Sequence, residues 1–161
     1  MDLLHWKKRI IECLNSTEFL ALSTCRNGRT WTCPVFFAYD EKFNFYFISQ
    51  PGSKHMQNIL VNGEISVAIY STNQSAAGDV FGVQFSGKAV MLPDSEVEKA
   101  FQIYYTRSPN VAVMKDNTAE KYKGPKALWK FVKILPSEIH IFDTKSFGEE
   151  RKQVPVEAWK S

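Results

Sequence analysis

Asn27-Gly28 constrains this chain more than any other dipeptide, because it stands between two β-prone runs. One is Glu18–Cys25 (EFLALSTC); the other runs from Thr30 towards Tyr39. Asn-Gly supplies the two positive-φ residues of a tight hairpin whose twist matches its strands. The two runs are therefore expected to pair antiparallel around Arg26-Asn27-Gly28-Arg29. Pro34 lacks an amide donor, which puts the second run at a sheet edge or gives it a bulge. Tyr39–Lys42 then turns the chain into a third run, FNFYFIS, ending at Ser49. Further strands are expected at Glu64–Ser71, at Val80–Leu92 with bends at Gly82 and Gly87, at Ala127–Leu135 and at Glu138–Asp143, the last two hinged at Pro136.

Helical periodicity is confined to a few places. Asp2 can cap a helix over Leu3–Leu14, with Leu3, Trp6, Ile10 and Leu14 on one face. A short helix over Ser53–Val61 would turn Met56, Ile59 and Leu60 inward. Pro93-Asp94-Ser95 opens another, with Ser95 and Glu98 as a capping box and Val97, Phe101 and Tyr104 as its stripe. The polar stretch 106–125, with Pro109 and Gly124-Pro125, reads as a loop holding a short helix. The charged tail from Thr144 has apolar anchors at Val154, Val156 and Trp159. No regular strand–helix–strand alternation occurs. The expectation is one mainly β domain over residues 1–161: a six- to seven-stranded antiparallel barrel, closed or split, with flanking α-helices.

Composition narrows the function. At 44% hydrophobic and 23% charged, the chain has the profile of an ordinary soluble globular protein. Its net charge of +3 comes from scattered Lys and Arg, which gives no case for nucleic acid. Three cysteines, Cys13, Cys25 and Cys33, match no zinc or redox spacing and point to small core residues in a reducing cytoplasm. The N-terminal stretch carries charges through its middle, unlike a signal peptide, and no apolar run reaches membrane length. His5, His55 and His140 lie far apart, with no metal-like spacing. Gly82–Ala89 nearly spells a phosphate-binding loop. Ala89 replaces the magnesium-holding hydroxyl, the apolar residues alternate as in a strand, and no helix follows. Asp40-Glu41 reads as a solvated turn.

The stretch Thr32–Asn62 offers more. Two apolar strands lead into Gln50-Pro51-Gly52 and a helix start at Ser53-Lys54-His55. Lys54 there is either a solvated surface lysine or an anion clamp beside outward-pointing helix amides, with Ser49 and Ser53 as hydroxyl donors. An apolar slot beside such an anion site suits a flat, phosphorylated cofactor.

The ordered series EFLALSTCRNGRTWTCPVFFAYDEKFNFYFIS, SKHMQNILVNGEISVAIYS, GVQFSGKAV and LWKFVKILPSEIHIFDTKSFG resembles the pyridoxamine 5'-phosphate oxidase-like family of FMN-binding split barrels. The resemblance spans nearly the whole chain. It implies FMN at a homodimer interface, with Thr32, Cys33, Pro34, Val35, Phe47, Ile48, Ser49, Ser53 and Lys54 at the cofactor, and Gln84 and Trp129 as weaker matches. It implies a flavin-dependent oxidoreductase drawing on NADH or NADPH, with haem binding or a cofactor-free interaction role as alternatives. The family's oxidases carry basic residues where this chain has Thr32, Phe37 and Ser53, and a C-terminal Arg and His clamp that SFGEERKQVP lacks. Oxidation of vitamin B6 is therefore not expected, and phosphate is expected to be held by fewer cations.

Overall fold

The computed structural model describes residues 2–107 and 117–160. Eight strands form one sheet: β1 (Phe19–Arg26), β2 (Arg29–Phe36), β3 (Ala38–Tyr39), β4 (Phe45–Ser49), β5 (Glu64–Tyr70), β6 (Phe81–Met91), β7 (Lys130–Asp143) and β8 (Lys152–Gln153). Their order is β2-β1-β5-β6-β7-β4-β3, with β8 added to β7, and every pairing is antiparallel. The outermost strands, β2 and β3, are consecutive in the chain. They are separated only by Phe37, whose ring is fully buried and whose N–H donates to the Glu18 carbonyl at 3.2 Å. The two ends of the sheet thus meet at one residue, and the expected second strand is two strands. This is the split barrel expected from the sequence.

The β1–β2 turn has the predicted form, with φ of 52° at Asn27 and 73° at Gly28. Pro34 sits on β2, which pairs only with β1, so the edge solves its missing donor and no bulge is needed. The bulge lies elsewhere. Ser86 pairs with Glu138 but Gly87 pairs with Pro136, leaving Ser137 over. A Cβ on Gly87 would stand 2.5 Å from the Leu135 carbonyl oxygen, so this crossing requires glycine. The two strands expected around Pro136 are consequently one continuous β7. Pro136 falls between the last β4 pair, at Ile134, and the first β8 pair, at His140, where β7 has no second neighbour.

Among the described residues, five helices flank the sheet: α1 (Leu3–Asn15), α2 (Lys54–Val61), α3 (Asp94–Arg107), α4 (Thr144–Phe147) and α5 (Glu157–Lys160), with a 3-10 turn at Ala119–Tyr122. Asp2 caps α1 as expected, accepting from the Leu4 amide at 3.3 Å. Trp6, Ile10, Cys13 and Leu14 face the core, but Leu3, in the first turn, is exposed. In α2 the buried residues are Met56, Asn58 and Ile59. Leu60 points to solvent because the sheet covers a narrower stripe than an apolar count suggests. Helix α3 starts at Asp94, one residue before the expected cap. Ser95 therefore lies in the first turn, and the Asp94 carboxylate instead accepts the Gly124 amide at 3.0 Å. Val154 and Trp159 anchor the tail, whereas Val156 is exposed. The expected helix within 106–125 lies partly outside the described residues; the described part holds the 3-10 turn.

Phe37, Phe43, Phe45, Phe47 and Phe131 are fully buried, each worth roughly 1.5–3 kcal/mol of apolar burial. A main core lies inside the barrel. A second cluster, with Tyr46, Tyr104, Tyr105, Tyr122 and Phe131, packs α3 against the far side of β4 and β7.

Candidate functional site

Strand alternation divides the residues near β2 between two faces. Leu20, Leu22 and Thr24 of β1 point inward, and their partners Val35, Cys33 and Trp31 follow them. Ala21 and Ser23 point outward with their partners Pro34 and Thr32. The inner face of this edge is covered by α2, and the outer face is open.

On the outer face, two rows of side chains run across the sheet, short on β1 and β5 and longer at Gln84, His140 and Glu138. One is Pro34, Ala21, Ala68, Gln84 and His140; the other is Thr32, Ser23, Ser66, Ser86 and Glu138. All of them except Pro34 line an open groove of about 550 Å³, with Tyr70 also in its wall. Thr32 and Ser23 hold each other's hydroxyls at 2.8 Å. Small residues in adjacent strands leave a flat, shallow bed of the kind an aromatic ring system can lie on.

The second place is the start of α2. Gln50-Pro51-Gly52 releases the chain from β4, and Ser53 becomes the N-cap. Its hydroxyl does not cap the helix. It lies 3.2 Å from His55 Nε2 and 3.2 Å from the Ser49 hydroxyl, which is itself 2.7 Å from the same nitrogen. The first-turn amides of α2 therefore lack a side-chain acceptor, and the helix presents its positive end outward. Burial lowers the His55 pKa, so the ring is neutral at neutral pH and serves here as a hydrogen-bonding post. The Lys54 ammonium lies 4.2 Å from the centre of the Trp31 ring, a cation–π contact that holds it at the helix start. A cation, two hydroxyls and unsatisfied amides fit the donor set a phosphate needs.

The sequence-derived residues divide accordingly. Ser49, Ser53 and Lys54 converge at α2, and exposed Trp129 lies next to Lys130, the β7 partner of Ser49. Thr32 and Gln84 line the groove, and Pro34 stands outside its lining as the β2 partner of Ala21. Cys33, Val35 and Phe47 turn their side chains towards the core, and Ile48 packs against the second cluster; Val35 and Phe47 are buried, while Cys33 and Ile48 keep partial exposure. Phe37 is buried as well, so the family's basic residue at that position has no counterpart facing a ligand. Burial raises the Cys33 thiol pKa and pushes Cys13 up to about 12, in keeping with core thiols rather than nucleophiles. Gly82–Ala89 is part of β6, not a phosphate loop. Asp40 is less solvated than expected: its carboxylate accepts from the amides of Lys42 and Asn44 and from the Tyr46 hydroxyl, which fixes the turn before β4.

Three residues escaped the sequence reading. His55 has no metal-like spacing in the sequence, yet it organises both serines. Arg26 and Arg29 flank the Asn-Gly turn, and counting in twos from Leu20 puts them on the α2 face. With Asn27, Lys54 and Asn58 they line a cleft of about 530 Å³.

Among known proteins, the family model described as pyridoxamine 5'-phosphate oxidase matches residues 7–132. No curated protein matches the chain. Several solved structures share its fold. The General Stress Protein 26 from Bacillus anthracis is 20% identical, with a TM-score of 0.63 over 92% of this chain and 98% of that one. A FAD-binding protein from Mesorhizobium loti is 19% identical, with a TM-score of 0.61 over 81% of this chain and 91% of that one. A heme binding protein from Mycobacterium smegmatis is 14% identical, with a TM-score of 0.71 over 99% of this chain and 60% of that one.

Proposed function

The chain belongs to the pyridoxamine 5'-phosphate oxidase family, and we propose that it is an FMN-dependent oxidoreductase that works as a homodimer. The observation that carries this reading is the helix start at α2, where Lys54, the Ser49 and Ser53 hydroxyls and uncapped amides converge. These groups would hold the 5'-phosphate. Thr32, Pro34 and the free edge of β2 would border the ring, and the small-residue bed would let a second copy approach closely enough to enclose it. A bound flavin supplies hydride and electron transfer. The chain's own part is to bind it, to fix the ring against β2 and to exclude water between protomers. A reduced nicotinamide is the natural electron donor. Three unbonded cysteines suit a reducing cytoplasm. Among the described residues, no helix is long and apolar enough to cross a membrane. Pyridoxamine phosphate is not the proposed substrate, since Thr32, Ser53 and buried Phe37 stand where the oxidases carry cations.

Binding of haem is the second reading, favoured by one observation: the His140 ring lines the outer groove and would be the residue to hold the iron. The absorbance of the protein after incubation with each cofactor separates the two, flavin bands supporting the first reading and a Soret band the second. The phosphate clamp is tested by titrating flavin fluorescence with wild type and Lys54→Ala. Wild type should prefer FMN to riboflavin, and the variant should lose most of that preference, about tenfold for one charge-assisted phosphate contact. Equal FMN affinity in the two proteins contradicts the clamp.

A further inference from the structure

We propose that Arg26 and Arg29, with Lys54, form a second anion subsite that takes the pyrophosphate of a dinucleotide. Arg26 and Arg29 are directly opposite partners across the β1–β2 hairpin, and both stand on the face that α2 covers. Two like charges at directly opposed positions repel each other. Among the described residues neither has a carboxylate partner, and nor does Lys54. The cleft they border is lined otherwise by the amides Asn27 and Asn58, with no acidic residue. Asn58 is held by its own bond, donating to the Thr24 hydroxyl at 3.0 Å, and Asn62 ties the end of α2 to the Cys25 carbonyl at 3.1 Å. The hairpin and helix are thereby fixed to each other, and three cations are kept together without a counter-charge. All three side chains are exposed, so their mutual repulsion is modest and screened, and a polyvalent anion would relieve it.

Position fixes the relation to the first site. Lys54 lies at the start of α2 and Asn58 one turn further along, so the cleft continues from the phosphate position past Lys54. Its volume of about 530 Å³ is far more than one phosphate fills and falls in the range of small-molecule pockets. A ligand whose first phosphate rests at the helix start would put a second between the two arginines, each able to grip it with paired N–H donors. The shared chemistry is a pyrophosphate, carried either by a dinucleotide flavin or by the nicotinamide donor. The choice of ligand rests on the flavin reading; the subsite itself does not.

The test is calorimetric titration of wild type and the double variant Arg26→Gln/Arg29→Gln with inorganic pyrophosphate, inorganic phosphate, FMN and FAD, and of the FMN-mixed proteins with NADPH. Asn27-Gly28 is untouched and a like-charge pair is removed, so the variant should unfold at the same temperature as wild type or higher. The expected result is a loss of tenfold or more in pyrophosphate affinity, a matching loss for FAD or for NADPH, and less than threefold change for FMN. A loss for FAD assigns the subsite to the cofactor; a loss for NADPH assigns it to the donor. Equal pyrophosphate affinity in both proteins overturns the subsite, and unchanged affinity for both dinucleotides overturns its assignment. If wild type binds no flavin while pyrophosphate still depends on the arginines, the flavin reading fails and the subsite stands.

Discussion

His55 decides how the α2 start responds to pH. Its Nε2 is shared by the Ser49 and Ser53 hydroxyls, and burial holds the ring neutral below its ordinary range. Acidification through that lowered pKa would add a positive charge within the site. FMN affinity relative to a His55→Gln variant should therefore rise as pH is lowered below 6.5 through that depressed pKa, by roughly fivefold once the ring is protonated, for about 1 kcal/mol of near-surface attraction. Taking the ratio removes the phosphate's own titration, which both proteins share; a flat ratio would contradict the placement of the anion beside His55. The same lowered pKa has an opposite effect on folding. The unfolded chain binds the proton more readily, so the stability that neutral His55 contributes is present above pH 6.5 and is lost as pH falls towards the folded value. Lys54 and the serines were legible in the sequence because a helix start after Pro-Gly advertises itself. His55 was not, because its role depends on β4 delivering Ser49 beside the helix, a contact that no local spacing encodes.

Among the elements, β6 and β7 set the curvature of the sheet, and their crossing at Gly87 tolerates no side chain. Gly87→Ala would drive a methyl into the backbone of Leu135 and Pro136, atoms that cannot move aside cheaply. A loss of about 1–3 kcal/mol is expected in urea unfolding. Gly28→Ala meets no neighbour and suffers only from its positive φ, so it should cost less, about 1 kcal/mol. A reversed ranking would contradict the bulge. Helix α1 is joined to β7 by Arg9, whose Nε donates to the buried Asp143 carboxylate, while Asp143 also accepts the Ser146 amide at 3.2 Å to cap α4. Burial alone would raise the Asp143 pKa, but the Arg9 and Ser146 hydrogen bonds outweigh it and hold it below the usual range. Arg9→Leu should cost about 3 kcal/mol at pH 7, the penalty of a buried carboxylate left unpaired, with the difference from wild type shrinking as pH falls through the folded pKa of Asp143. The strands themselves could be read from β-prone runs and turn dipeptides. The break at Phe37 and the fusion of two strands around Pro136 could not, since both depend on which neighbours the sheet supplies at those positions.

At the scale of the whole molecule, the outer face is where a second copy is proposed to dock. Ala21, Ser66 and Ala68 are too short to fill the groove they floor, and Tyr70 and Leu135 stand exposed on the same sheet. Ala68→Arg should leave the fold intact while shifting the mass measured by light scattering from dimer to monomer and weakening FMN at least tenfold; a dimer that survives it docks through another face. The barrel order was legible from the sequence because consecutive hairpins leave few alternatives. The cation supply was underestimated there, since Thr32, Ser53 and Phe37 show where basic residues are missing, but only the fold reveals that Arg26 and Arg29 approach Lys54. A crystal structure of the protein soaked in FMN tests the central claim most directly. The account predicts the phosphate within hydrogen-bonding reach of the Lys54 ammonium and the Ser53 hydroxyl, and the ring beside Thr32 between two copies. A flavin found away from the α2 start, or a groove closed by a partner's side chains with no flavin in it, would contradict it.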